Sequence, residues 1–231
     1  MKKIALIISL VAFVSLQGFS QKGTYSYGLK FGPAFDWASS ASTATSNHGV
    51  RLGFNLGGIV DKYFTDHIAL SSGLNFYYWR GHYSFTDLRV APDFLEEAPI
   101  SIDRYVRANY FEVPIMIKVN YEIVDGWKAF AEAGVGIGLN TKDATKDTYE
   151  FYWISSSEKS YTNSSFYQYR WLQAALNFAA GAEFQVNKKF SIFAQLSYNH
   201  GLTNSFTRNM KKLTASDIKT NFIGLEIGIM H

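Results

Sequence analysis

Apolar and polar side chains alternate with a period of two along most of this chain. In the stretch YFEVPIMIKVNY, Tyr110 to Tyr121, one face carries Phe111, Val113, Ile115, Ile117, Val119 and Tyr121, and the other Glu112, Pro114, Met116, Lys118 and Asn120. Successive side chains of a strand point to opposite faces, so this period predicts a strand with one apolar face. The same reading predicts eight strands, over Tyr25 to Phe35, Gly49 to Phe64, Ile68 to Phe85, Tyr105 to Ile123, Trp127 to Asn140, Gln168 to Val186, Phe190 to Leu202 and Lys219 to Met230. Thr65-Asp66, Val124 to Gly126 and Asn187 to Lys189 are short enough for tight turns, whereas residues 36–48, 86–104, 141–167 and 203–218 are long and polar. Short turns at one end and long connections at the other fit an up-and-down antiparallel barrel crossing an outer membrane, with both termini in the periplasm.

The two faces differ in kind. The outward set includes Tyr27, Leu29, Phe31, Leu52, Phe54, Leu56, Leu74, Phe76, Val135, Ile137, Leu176, Phe178, Ile192, Leu196, Leu225, Ile227 and Ile229, and it contains no charge. The opposite set carries Lys30, Arg51, Lys118 and Lys128 with Glu112, Glu132, Glu183 and Glu226, four bases and four acids that can neutralise one another in a lumen. Glycines such as Gly28, Gly57, Gly136 and Gly224 share the inward parity and leave room for long charged chains. A soluble lipocalin-like barrel would need the reverse polarity, with every apolar face residue buried and the charges outside. Pairing about Asp125 sets Lys118 opposite Glu132 and Tyr121 opposite Ala129. Aromatics gather at both strand ends, Tyr25, Tyr63, Phe64, Tyr121, Trp127 and Phe190 beside the short turns, and Phe35, Trp37, Tyr77, Tyr78, Trp79, Tyr110, Tyr169 and Trp171 toward the long connections, as interfacial girdles would. A closed barrel has no free edge, so Pro33 and Pro114 are expected at a bulge or where the missing N–H faces no partner.

Composition narrows the setting. Met1-Lys2-Lys3 precedes an apolar run from Ile4 to Leu16, and small residues flank a cut after Ser20, so residues 1–20 read as a signal peptide and residues 21–231 as one barrel domain. The apolar run is too short for a spanning helix, which needs about 20 residues. Without cysteine the chain has no disulfide and no lipidation site. Once Lys2 and Lys3 are removed, 20 basic residues face 19 acidic ones, a balance that does not imply nucleic acid as a partner.

Several of these stretches together carry a resemblance. The strand YFEVPIMIK at residues 110–118, the glycine-alternating AGVGIGLN at 133–140, LSYNHGLTN at 196–204 and FIGLEIGI at 222–229, behind a signal peptide, resemble the PorT-like outer-membrane β-barrel family over essentially the whole mature chain. The run of Tyr110, Glu112, Val113 and Pro114 is the most specific element. The resemblance implies a Gram-negative outer-membrane location, contact with lipid and with the barrel-assembly machinery during insertion, and a link to an envelope or secretion partner. It carries over no catalytic residue.

Candidate chemistry is sparse. Of the five histidines, His48, His82 and His200 fall toward the long connections, but neither a His-x-x-x-His spacing nor a Gly-x-Ser-x-Gly turn is present. Gly134, Gly136 and Gly138 alternate within a strand with no helix after them, which excludes a phosphate loop. No catalytic, metal or cofactor residues are assigned. Tyr149, Phe151, Tyr152, Trp153, Tyr161 and Tyr167 form an aromatic-rich connection that is either a contact surface for a glycan or protein or a hairpin packing on itself. The expectation is a non-enzymatic eight-stranded barrel with a plugged polar lumen and a structural or partner-binding role; a narrow channel for small solutes and a soluble lipocalin-like barrel are the alternatives.

Overall fold

The computed structural model describes residues 25–40, 45–90, 97–151, 154–162, 169–205 and 217–231, with the backbone alone for 86–90, 97–100, 149–151 and 154–162. The expected signal peptide, residues 1–20, lies outside the described residues. Ten strands follow one another: β1 (Tyr25–Ser39), β2 (Thr45–Asn47), β3 (Arg51–Tyr63), β4 (Ile68–Val90), β5 (Glu97–Val124), β6 (Trp127–Phe151), β7 (Ile154–Thr162), β8 (Leu172–Gln185), β9 (Ser191–Gly201) and β10 (Lys219–Met230). Eight of them, all but β2 and β7, form a ring in the order β1-β3-β4-β5-β6-β8-β9-β10, closed by antiparallel pairing of β10 with β1. The molecule is a closed eight-stranded antiparallel barrel. β2 adds a short rung to β4, and β7 folds back on the end of β6 as a hairpin.

The tight turns stand where the sequence sets them. Asp125 and Gly126 join β5 to β6, with Gly126 at φ 81°, the positive value that two-residue hairpins favour. Beyond the turn Lys118 pairs with Glu132 and Tyr121 with Ala129. The long connections differ from expectation. β4 runs on to Val90 and β5 starts at Glu97, and β6 continues to Phe151. Residues 86–104 and 141–167 are thus largely strand, because alternation with a period of two persists there, with Ile102 and Arg104 inward on β5 and Asp143, Thr145 and Asp147 inward on β6.

The outer face around the barrel is apolar: Leu29 is 61% exposed, Leu56 50%, Ile117 52%, Leu196 57% and Leu225 52%. The inner face is polar, and Glu226, Asn55, Asn75 and Lys118 are almost wholly buried. This polarity is the reverse of a lipocalin's and does not favour that alternative. At the short-turn end Lys62 lies over the Tyr25 and Phe64 rings, 5.8 and 5.9 Å from their centroids, as a cation does at a membrane interface. The other girdle is smaller than expected. Phe35 and Trp171 are exposed, but Tyr77, Trp79, Tyr110 and Tyr169 are buried inside the barrel, in keeping with the inward parity of Tyr77 and Trp79 two and four residues after Asn75.

Both prolines face interruptions in the ladder. β1 pairs with β10 at Phe31↔Ile227 and again at Ala34↔Gly224, with no rung at Gly32 and Pro33 between them. β4 pairs with β5 at Ser72↔Ile115 and again at Asn75↔Glu112, skipping Pro114 and Val113. Register is unchanged across each gap. The missing N–H therefore faces no acceptor, and the Ser72 hydroxyl donates to the Pro114 carbonyl at 2.7 Å.

Candidate functional site

The short-turn mouth opens into a vestibule of about 780 Å³ lined by Tyr63, Asn120, Lys128, Glu183, Lys188 and His231, among others. Above it Phe130, Phe193 and Met230 close the bore, with the two phenylalanine rings edge to face at 6.0 Å. Lys118 stands on this apolar layer, its Nζ 4.6 Å from the Phe130 ring centroid, 2.7 Å from Asp61 Oδ2 and 3.7 Å from Glu132 Oε1. Beside it Lys30 Nζ reaches Glu226 Oε2 at 3.1 Å, while Asn55 and Gln195 donate to the same carboxylate at 3.0 and 2.6 Å.

Glu112 is held differently. Asn177 and the Tyr77 hydroxyl donate to Oε1 at 2.7 and 3.2 Å, and Asn199 donates to Oε2 at 3.1 Å. Among the described residues no cation lies within ion-pair distance of it, so three hydrogen-bond donors do the work a cation does for Glu226. Gly136 makes the space: a Cβ there would overlap the Glu112 carboxyl group and the Asn177 amide. A cavity of about 30 Å³ beside Glu112, Tyr77, Tyr110 and Gln173 has room for one water.

The eight charges expected in one lumen network thus separate. Lys30, Glu112, Lys118, Glu132 and Glu226 are in the bore, joined by Asp61. Lys128 and Glu183 face each other across β6 and β8 in the vestibule, half-buried, where Ser191 donates to Glu183 at 2.5 Å. Arg51 leaves the network: its guanidinium donates to His82 Nδ1 at 2.6 Å and lies over the Tyr105 ring. The reason is local. The β2–β4 and β3–β4 registers differ by two residues, so Gly49, at φ 90°, and Val50 bulge out of the strand track immediately before Arg51. In the bore two lysines then face four acids, Asp61, Glu112, Glu132 and Glu226.

Toward the long hairpins the interior changes character. Tyr77 packs on Phe222 at 4.7 Å, Trp79 Nε1 donates to the Asn221 carbonyl at 3.2 Å, and Tyr83, Phe85, Ile102, Val106 and Ile218 complete an apolar core. An ion pair of Arg104 and Asp147 lies within it. Arg104 grips Asp147 through two parallel bonds, Nε to Oδ1 at 2.7 Å and Nη2 to Oδ2 at 2.5 Å, with its guanidinium 5.1 Å from the Phe85 ring. Tyr83 and Tyr169 share a hydrogen bond at 2.5 Å, and burial pushes both phenols above their ordinary value, so neither ionises near neutral pH. The sequence reading missed this pair. Arg104 sat in an expected loop, and Thr141 slips the inward parity of β6 at a bulge, so that Asp143, Thr145 and Asp147 point inward after it.

A second group missed by sequence lies on the outer side of the same hairpins. His82 Nε2 is 2.7 Å from Asp103 Oδ1, and His48 Nε2 is 3.8 Å from the same oxygen and 2.8 Å from Ser84 Oγ. Burial pushes His82 below its ordinary value while Asp103 opposes the shift. His200 is elsewhere, bonded to Asn221 at 2.7 Å. No linear spacing signals this cluster, since pairing of β2, β4 and β5 is what assembles it. Of the aromatic connection, Tyr149, Phe151 and Tyr161 lie on the β6–β7 hairpin, where Phe151 pairs with Ile154, and their side chains fall outside the described residues, as do Tyr152, Trp153 and Tyr167 altogether.

A family profile described as "Outer membrane protein beta-barrel domain" matches residues 18–207. A search of curated proteins finds no match. Among solved structures, Neisserial surface protein A is similar over 91% of this chain and 98% of its own at 10% identity and a TM-score of 0.42. The outer membrane protein OprG from Pseudomonas aeruginosa is similar over 90% and 97% at 8% identity and a TM-score of 0.43. The outer membrane protease OmpT from Escherichia coli is similar over 92% and 99% at 10% identity and a TM-score of 0.37. With an apolar belt outside, charges inside and a profile match over most of its length, the chain belongs to the outer membrane protein beta-barrel domain family, whose setting is the bacterial outer membrane.

Proposed function

We propose that this protein is a plugged, non-enzymatic barrel with a structural or partner-binding role, set in the outer membrane with its short turns and termini in the periplasm and its long hairpins at the cell surface. One observation carries the reading: the bore is filled along its length by bonded side chains, from the Phe130–Phe193 layer through Lys118, Glu226 and Glu112 to the aromatic core at the hairpins. An eight-stranded barrel is only just wide enough for its own side chains, and opening this one would leave buried carboxylates without lysine or amide partners. The extended β4–β5 and β6–β7 hairpins are then the parts free to meet a partner. The Tyr110, Glu112, Val113 and Pro114 run supports a PorT-like member linked to an envelope or secretion partner, and residues 1–20 support export by a signal peptide cleaved after Ser20.

Planar-bilayer recordings test the plug. The expected result is no steady conductance from purified protein; a reproducible conductance whose ion preference changes with Glu112→Gln would replace this reading with the narrow channel. Copurification from gently solubilised envelopes, with and without residues 149–162, tests whether the hairpin holds the partner.

A further inference from the structure

The histidine cluster lies on the hairpin side of the barrel, apart from the lumen. His48 follows β2, and its backbone N–H donates to the His82 carbonyl at 2.9 Å, which fixes the two residues side by side. Across β4 and β5, His82 pairs with Tyr105 and Asp103 with Ser84, so Asp103 is the diagonal neighbour of His82. His82 is further held by stacking on Tyr105, with ring centroids 3.8 Å apart. One ligand atom from each of His48, His82 and Asp103 lies within 4.8 Å of the other two.

We propose that His48, His82 and Asp103 form a binding site for a divalent transition-metal ion of the zinc class. His48 Nε2, His82 Nε2 and Asp103 Oδ1 supply three ligands, and water takes the fourth position. Two imidazoles and one carboxylate suit such an ion, whereas calcium and magnesium take oxygen ligands. Zinc–nitrogen and zinc–oxygen bonds of about 2.0–2.1 Å in a tetrahedron put ligand atoms roughly 3.3 Å apart. The observed distances to Asp103 Oδ1, 2.7 Å from His82 and 3.8 Å from His48, bracket that value, so small side-chain rotations are enough.

Arg51 competes with the ion. Its Nη2 donates to His82 Nδ1, so His82 carries its proton on Nε2 and gives it to Asp103. An ion on Nε2 takes the place of that proton, which moves to Nδ1 so that the imidazole stays neutral, and Arg51, itself only a donor, must then withdraw. The site should therefore bind more tightly once the guanidinium is removed.

The experiment uses the full chain refolded in detergent without a histidine tag, titrated with Co²⁺ alone and then with Zn²⁺. Saturable binding of one Co²⁺ with the absorption of a tetrahedral site, displaced by Zn²⁺, is expected. His82→Ala and Asp103→Asn should weaken it by about tenfold or more, Arg51→Gln should strengthen it several-fold, and His200→Gln and His231→Gln should leave it unchanged. His48→Gln, at a half-exposed side chain, keeps the test decisive if His82→Ala fails to give the folded form on an unheated gel. No saturable binding, binding that survives His48→Gln and Asp103→Asn, or binding lost with His200→Gln or His231→Gln would overturn the site. Unchanged or weaker binding in Arg51→Gln would overturn the competition.

Discussion

The same strands β4, β5 and β6 build two interiors of different composition. Within the membrane belt they turn Ser71, Asn75, Glu112, Lys118 and Glu132 inward and Leu74, Phe111, Ile115, Ile117 and Val135 outward. Beyond the belt β4 and β5 turn Tyr83, Phe85, Ile102 and Val106 inward around Arg104, and β6 turns Asp143, Thr145 and Asp147 inward, while Arg80, Arg107 and Lys142 are exposed. Side chains alternate in both parts, on either side of the bulge at Thr141; what changes is the medium against the outer face. Lipid accepts no charge, so the belt sends its polar groups inside to bond one another. Water accepts them, so the upper part packs like an ordinary soluble core.

The comparison breaks first, and with the largest effect, at two of the buried ion pairs. Lys118→Ala leaves Asp61 and Glu132 without their cation, and Arg104→Ala leaves Asp147 without its own, each expected to cost about 3–5 kcal/mol. The two should fail differently. Urea titrations followed by gel mobility should show Lys118→Ala unfolding the whole barrel earlier. Arg104→Ala should expose the hairpins to protease while a membrane-protected fragment survives. In double-mutant cycles Lys118 should couple more strongly to Asp61 than to Glu132, in line with 2.7 against 3.7 Å; the reverse order would mean that the cross-strand partner, not the nearer acid, holds the lysine.

A smaller effect tests the outer face. Ile115→Lys puts a charge in the belt and should cost about 2–4 kcal/mol if that position is near the bilayer midplane, measured by urea titration in lipid vesicles. Gly136→Ala should cost about 1–3 kcal/mol, because its Cβ overlaps the Glu112 carboxyl group in a full bore. Arg107→Leu, beyond the belt, should stay within about 0.5 kcal/mol. A gain approaching in size the cost of Ile115→Lys would mean that lipid reaches Arg107 and that the upper boundary of the belt has been drawn too low.

The belt was legible in the sequence because its alternation is strict. Strand starts at Ile68, Trp127 and Lys219, the turn at Asp125 and the Lys118–Glu132 register all follow from parity. Asp61 shares the parity of Gly57 and Ile59 but is not among the charges assigned to the lumen from sequence, and the structure shows it as the nearest partner of Lys118. The upper core was illegible for a physical reason. A rule that assigns polar residues inward reads Asp103 and Arg104 as loop once lipid no longer lies outside. The slip at Thr141 and the two-residue bulge at Gly49 and Val50 then break the parity that would have found Asp147 and redirected Arg51.

The two proline gaps have a mechanical meaning. Each removes two rungs from a seam, β1–β10 in one case and β4–β5 in the other. These seams divide the hoop into a panel of three strands, β1, β3 and β4, and a panel of five, β5, β6, β8, β9 and β10. A closed tube bends most readily where its wall carries the fewest cross-links, so lateral pressure from the bilayer should flatten or round the cross-section about these two lines, each panel moving as a stiff plate. Under pulling force on the last strand, the tear should start along the β1–β10 seam, at Pro33.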